Sequence, residues 1–255
     1  MKKPSKSDTK SIESNELAIV KQYIQPNKKN LVVFDIDNTL ATVPDDLATP
    51  EWFIWQLQAY EKKGLSSSEA LNKALHLHNH LLNHTWLHAA PNASQVIQHL
   101  HKKGVATIAL TARNLVNRTL EQLAAAGITL QNASLPQDFF WLPTNNSQRP
   151  GAGYKQGVVF CNGNDKGSLL LHFLQQTAYQ PDTIIFVDDM QEHVHAVKKV
   201  ITKHNLPCVG IRYSYFDKKA HNFNPQRAHQ QLQTFLHKHP VGQGPIPYLA
   251  HTLCM

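Results

Sequence analysis

The chain has 255 residues, of which 42% are hydrophobic and 17% charged, and its formal net charge is +7. These values exclude an intrinsically disordered chain and allow one large α/β domain with an insertion, or two small domains. The positive excess sits largely in MKKPSK and PNKKN, with no aromatic or nucleic-acid motif beside it, so nucleic acid is not an expected partner.

Residues 1–12 are rich in Lys and Ser and read as a disordered basic tail. MKKPSKSDTK starts like the n-region of a signal peptide, but no apolar h-region follows, and no later run has the length of a membrane span. SNELAIVKQYIQ predicts a short amphipathic helix capped by Ser14 or Asn15. NLVVF then reads as a buried strand. The stretch 49–90 is too long for one crossover helix. Thr49 and Pro50 start one helix, and SSSE at 66–69 is a capping box for a second, which together predict a small helical cap over the strand ends.

NASQVIQHLHKKG and NLVNRTLEQLAAAG are helices closed by Gly104 and Gly127, on either side of the strand VATIAL. GVVFC is a further strand, either in the parallel core, at its edge, or as half of a hairpin. The helix SLLLHFLQQ and the strands TIIFV and CVGIRY follow, and the Pro/Gly-broken segment 241–255 reads as a C-terminal tail. Strands alternating with helices predict a doubly wound, mostly parallel, Rossmann-like α/β sheet. Its core would comprise 13–48 and 91–240, with the cap at 49–90 inserted after the first strand. Cys161, Cys208 and Cys254 are too few and too scattered for a disulfide framework or a zinc site, which points to a reducing, cytoplasmic location.

In such a sheet, ligands bind beyond the carboxyl ends of the strands. LVVF is followed by Asp35 and Asp37, VATIAL by Thr111 and Arg113, and TIIFV by Asp188 and Asp189, while Lys166 and Gly167 open a helix. Four converging carboxylates call for a divalent, oxygen-preferring cation, and Mg²⁺ fits. Asp35 is a candidate nucleophile toward phosphorus and Asp37 a candidate acid/base. Thr111 offers a hydroxyl, and Lys166 a positive charge at a helix N-terminus, for a phosphate.

DIDNT resembles the first motif, DxDxT, of the haloacid dehalogenase superfamily, and Thr111, Lys166 and the Asp188–Asp189 pair match its second, third and fourth motifs in order. GVVFCNGNDKG ahead of IIFVDD resembles the DUF2608-like bacterial branch of that superfamily. The resemblance implies a phosphatase working through an aspartyl-phosphate on Asp35, with Asp37 as acid/base and Thr111 and Lys166 on the phosphoryl group. It also implies Mg²⁺ held by Asp35, the Asp37 backbone carbonyl, Asp188 and Asp189. Branches that dehalogenate lack an acid at position 37 and the transport ATPases carry threonine there, so Asp37 favours phosphate-ester hydrolysis. His193 departs from the asparagine often found at its position.

Several readings stay open at this point. Lys155 competes with Lys166, and Arg113 is as readily a surface arginine as a substrate contact. His76, His80, His84 and His88 recur every four residues, which reads as a solvated or packed face rather than a metal site, because no Cys, Asp or Glu lies among them. Trp52, Phe53 and Trp55 would be buried between cap and core or would line a leaving-group pocket. The substrate is a small phosphorylated metabolite or, if the cap leaves the cleft open, a phosphoprotein of the phosphotyrosine type. A catalytically silent module that binds a phosphorylated ligand is the rival from another class.

Overall fold

The computed structural model describes residues 12–144 and 151–240. The segments 1–11 and 241–255, which carry most of the two predicted tails, lie outside the described residues. The chain begins with β1 (Ile12–Ser14), a 3-10 helix (Leu17–Tyr23) and β2 (Asn30–Phe34). After β3 (Ala41–Thr42) come α1 (Pro50–Lys62), α2 (Ser67–His84) and β4 (His88–Ala89). The middle of the chain runs through α3 (Ala93–Lys102), β5 (Ala106–Thr111), α4 (Val116–Ala125), β6 (Phe140–Leu142), β7 (Ala152–Lys155) and β8 (Val158–Phe160). It closes with α5 (Lys166–Gln176), β9 (Thr183–Asp188), α6 (Gln191–Lys203), β10 (Cys208–Tyr213), α7 (Asp217–His221) and α8 (Pro225–Lys238).

The main sheet has the order β1-β10-β9-β2-β5-β8-β7-β6. It is parallel from β1 through β8 and antiparallel only at β8–β7 and β7–β6. The mixed α/β fold with a mostly parallel sheet is therefore as the alternation predicted. β2 lies at its centre, and every residue of β2, β5 and β9 is buried. Successive strand side chains point to opposite faces. Val32 and Phe34 join one core with Val96, Leu100 and Leu123, while Leu31 and Val33 join the other with Leu170, Phe173 and Val197. Both faces are thus covered by helices, which is why these strands read as unbroken apolar runs.

Some local expectations give way. The predicted N-terminal helix is a 3-10 turn that starts at Leu17, because Ser14 is spent in β1 and its Oγ accepts the Glu16 N–H at 3.0 Å. Ile12, placed by the sequence in the tail, pairs with Ile211. GVVFC is both things at once: β8 pairs in parallel with β5 and makes a hairpin with β7, so it is not an edge.

The helical insert forms as its caps predict. Thr49 Oγ1 accepts the Trp52 N–H at 3.1 Å, and Ser66 and Glu69 make a reciprocal capping box. Helix α2 stops at His84, so His88 leaves its face and sits on β4. His80 and His84 meet Phe235 edge-on, and His84 stacks on His239 at 4.3 Å, giving a packed face.

Candidate active site

The site starts where β2 stops. The Asp35 N–H donates to Val187 O at 2.8 Å, extending the pairing with β9 by one residue. A tight turn follows, closed by Ala41 N–H to Ile36 O at 3.0 Å and Asn38 N–H to Ala41 O at 2.8 Å. Asn38 sits at φ 54°, a left-handed conformation that asparagine tolerates better than most residues. Its side chain is anchored on both ends, by Glu51 at 3.1 Å and Thr42 at 2.8 Å. Thr39 Oγ1 accepts the Asp189 N–H at 3.1 Å, so the turn after β2 is latched to the turn after β9. The sequence reading assigned no role to Asn38 or Thr39, although both belong to DIDNT.

Lys166, the first residue of α5, reaches across the strand ends. Its Nζ donates to Asp35 Oδ1 and to Asp188 Oδ2, both at 2.7 Å. Asp165 caps α5 through the Ser168 N–H at 2.7 Å. A Cβ on the neighbouring Gly167 would lie 2.8 Å from Val200 Cβ, so glycine there lets the first turn of α5 pack against α6. Lys155 is elsewhere, donating to Asn117 at 3.0 Å. Asp188 ends β9 with no exposed surface, its Oδ1 accepting the Met190 N–H at 2.9 Å and lying 3.2 Å from His193 Nδ1. Arg212 Nε donates to the Asp189 carbonyl at 3.1 Å, fixing that backbone.

Asp37 is held separately. Arg113 donates to both of its oxygens, at 2.8 and 2.6 Å, and to Gln122 Oε1 at 2.7 Å. Gln122 in turn donates to the Leu82 and Thr85 carbonyls, at 2.9 and 2.6 Å, at the end of α2. Arg113 is therefore no surface residue, being only 6% exposed. The Asp37 side chain, the expected acid/base, is thus the partner of Arg113. Thr111 is fully buried and accepts the Arg113 N–H at 3.2 Å, which leaves its own hydroxyl proton to donate. Ala112, Arg113 and Asn114, not Thr111, line the cleft.

The charges behave unequally. Burial, opposed by Lys166 and reinforced by Asp188 and Asp37, pushes the Asp35 carboxyl up to about 7. Burial together with Asp35 and Asp188 pushes Asp189 up to about 9. Burial would also raise Asp37, but the charge and hydrogen bonds of Arg113 outweigh it and hold this carboxyl below the usual range. Asp188 is likewise lowered, because Lys166 and His193 together outweigh its burial. Burial would lower Lys166, yet Asp188 and Asp35 hold its ammonium well above the ordinary lysine range.

Asp35, Asp188 and Asp189 bring carboxylate oxygens within 4.8 Å of one another, the one such cluster of possible metal ligands among the described residues. All donors are hard oxygens, and two of the carboxylates are reluctant to ionise without a cation. That donor set fits Mg²⁺. The carboxylate of Asp37 stands outside the cluster, so only its backbone carbonyl is left for the role the motif implies. The histidines of α2 form no such group among the described residues.

These residues form the floor of a 330 Å³ cleft whose opposite wall comes from α1 and α2. Phe53 and Ile54 line it, whereas Trp52 is fully buried beside His78. His78, which the sequence reading did not single out, donates from Nε2 to Ala48 O at 3.0 Å and packs against Phe53 at 5.2 Å.

Residues 13–239 match the family described as "Protein of unknown function (DUF2608)". A protein of Chlamydia trachomatis serovar D named "Putative outer membrane protein" is 26% identical over 72% of this chain and 68% of its own length. A Chlamydia pneumoniae protein of similar name is 24% identical over 82% of this chain and 83% of its own. Among solved structures, a chain described as "Putative Phosphatase from Clostridium difficile" aligns with a TM-score of 0.42 at 11% identity, over 76% of this chain and 92% of that one. A phospho-aspartyl intermediate analogue of phosphoserine phosphatase aligns with a TM-score of 0.37 at 14% identity, over 82% and 99%. No helix among the described residues is long and apolar enough to cross a membrane.

Proposed function

This chain belongs to the DUF2608 family, and from that premise we propose that it is a Mg²⁺-dependent phosphomonoester hydrolase of the haloacid dehalogenase type, working through an aspartyl-phosphate on Asp35. One observation carries the reading: two carboxylates two residues apart are given opposite environments by separate cations. Asp35 faces Lys166 at 2.7 Å among the metal-ligand carboxylates, and Asp37 is gripped by Arg113 at 2.6 and 2.8 Å. Without a cation the two shifts oppose these roles, so Mg²⁺ beside Asp35 would have to ionise the nucleophile, and Asp37 takes up the proton it gives only once Arg113 lets go of it.

In the first step, an Asp35 oxygen bonds to phosphorus as the bond from phosphorus to the ester oxygen breaks, and Asp37 gives that oxygen a proton. In the second, Asp37 takes a proton from water as the water oxygen bonds to phosphorus and the Asp35–phosphorus bond breaks. Lys166 stays between Asp35 and Asp188 and aims the nucleophile, with its third N–H left for a phosphoryl oxygen. Bound to Asp35, Asp188, Asp189 and the Asp37 carbonyl, Mg²⁺ would neutralise these carboxylates and the phosphoryl oxygens. A guanidinium fork matches a phosphoryl group as well as a carboxylate. Arg113 therefore exchanges Asp37 for the incoming phosphoryl group and releases the acid/base for proton transfer.

The test is hydrolysis of a chromogenic phosphate ester with Mg²⁺ and with chelator. Turnover that survives Asp35→Asn, or that is indifferent to chelator, overturns the mechanism. Cytoplasmic residence is part of the proposal and rests on the free thiols of Cys161 and Cys208. The printed name of the chlamydial relatives points to the envelope instead, and fractionation of the producing cells decides between them.

A further inference from the structure

Every fixed charge in the cleft lies on its floor. Asp35, Asp37, Arg113, Lys166 and Asp189 all come from strand ends or the start of α5. From α1 and α2 the cavity receives Pro50, Phe53, Ile54, Leu75 and Leu82, with His78 and Asn79 as the polar groups of that wall among the described residues. At the mouth, Ile54 is 50% exposed and Met190, just after the Asp188–Asp189 pair, is 42% exposed. Both line the cleft and leave apolar area in water that a bound organic group would cover. The polar members of this wall add little hydrogen-bonding capacity. The His78 Nε2 is engaged at Ala48 O, 3.0 Å away. Asn79 is 7% exposed and makes no side-chain hydrogen bond among the described residues.

We propose that this wall selects the organic part of the substrate: a small phosphomonoester whose alcohol is a ring-sized, largely apolar group, with Asn79 as the wall's unengaged hydrogen-bonding side chain. The inference rests on the phosphatase reading of the same site and narrows it. A sugar or nucleotide would have to leave several hydroxyls unpaired against Phe53, Ile54 and Leu75, and unpaired buried polar groups are penalised steeply. A bisphosphate would find no further lysine or arginine in the cleft among the described residues, since Lys166 and Arg113 both belong to the floor and His193 and Asn114 are the remaining polar lining groups. The cleft volume of 330 Å³ suits one ring and its phosphate.

The experiment compares cyclohexylmethyl phosphate with glucose 6-phosphate in saturating Mg²⁺. The two share a six-membered ring and a primary alkoxide leaving group, so intrinsic reactivity is matched. The expected result is a kcat/KM at least about tenfold higher for the apolar ester. In Ile54→Ser, whose side chain is half in solvent and carries no core contact, that ratio shrinks about threefold or more. A ratio below about ten in the wild-type protein, or one unchanged in Ile54→Ser, overturns this inference and leaves the phosphatase reading standing. Hydrolysis of neither ester by wild-type protein that still turns over the chromogenic ester overturns this inference alone, whereas inactivity toward all three overturns the phosphatase reading and this inference with it.

Discussion

The floor of the cleft and its helical wall come from different kinds of structure. On the floor, each group is fixed by more than one partner: Lys166 by two carboxylates, Asp188 by Lys166 and the Met190 N–H, and the Asp189 backbone by Thr39 and Arg212. The wall is two helices tied to the rest of the chain, Asn38 donating to Glu51 on α1 and His80 on α2 donating to the His239 carbonyl. Gln122 and Arg118 bond the carbonyls at the end of α2, and Trp52 is buried beneath. The contrast separates two tasks. A reaction needs charges held to fractions of an ångström, which the ends of central strands provide, whereas selecting an organic group needs only apolar area of the right shape. Four outcomes would break or sharpen that division.

The largest effect is expected on the floor. Asp35→Asn should lower kcat by about 10³-fold or more, because it removes the nucleophile and not a binding contact. It should not lower the thermal midpoint at pH 8, since burial and its neighbours already disfavour the ionised Asp35. A variant that is inactive because it is unfolded would therefore contradict the assignment as plainly as an active one.

Arg113→Ala comes next, and it reports on the joint between floor and wall. It leaves Asp37 without its bidentate partner and Gln122 without its donor. A loss of about 10²-fold in kcat is expected, with about 2–3 kcal/mol of stability, a figure discounted because Asp37 keeps some contact with solvent. Arg113→Lys should recover part of the stability and little of kcat, because an ammonium lacks the fork. Equal recovery of both would reduce Arg113 to a structural ion pair.

The same division governs what could be read from the sequence. β2, β5 and β9 are legible because both their faces are buried, and Asp35, Lys166, Asp188 and Asp189 are legible because strand ends and a helix start place them. The β6–β7 hairpin went unseen: Phe140–Leu142 is too short to show a period, and Ala152–Lys155 contains a glycine. Arg113 was ambiguous for another reason. Nothing local to it says that a carboxylate 76 positions earlier will need a counter-ion. His78 and Asn79 were equally silent, since a cleft wall made by two helices has no motif, only a shape that appears once the helices are packed.

A smaller effect is expected from pH in the absence of metal. Asp35 and Asp189 are raised from the ordinary 3.8 to about 7 and about 9. The folded state therefore binds their protons more tightly than the unfolded chain, and the associated stability is fully present below about pH 4. It is lost as pH rises through about 7 and then about 9. Asp37 and Asp188, shifted the other way, act in a separate window, since their contribution is lost as pH falls below the ordinary carboxylate value. With chelator, the thermal midpoint should decline between pH 5 and pH 9, and Mg²⁺ should remove most of that decline by binding the ionised pair. A midpoint that falls identically with and without Mg²⁺ would show that the three carboxylates do not hold the cation.

The smallest effect is expected at the far end of the wall. Ser66 caps α2 with Glu69, its Oγ accepting the Glu69 N–H at 3.4 Å while the Glu69 carboxylate accepts the Ser66 N–H at 3.0 Å. This box is exposed and lies at the opposite end of α2 from Leu82 and Thr85, where Gln122 ties the helix to Arg113. Ser66→Ala should cost about 1 kcal/mol, or a fall of about 2–4 °C in midpoint for a chain of this size. Fraying of that first turn leaves Phe53 and Ile54, which belong to α1, where they are, so kcat and KM should both hold. If KM for an apolar ester rose in step with the lost stability, the wall would be a single cooperative unit whose shape depends on its distant cap. An unchanged KM would mean that the tie through Gln122 and the burial of Trp52 are enough to position the selecting surface.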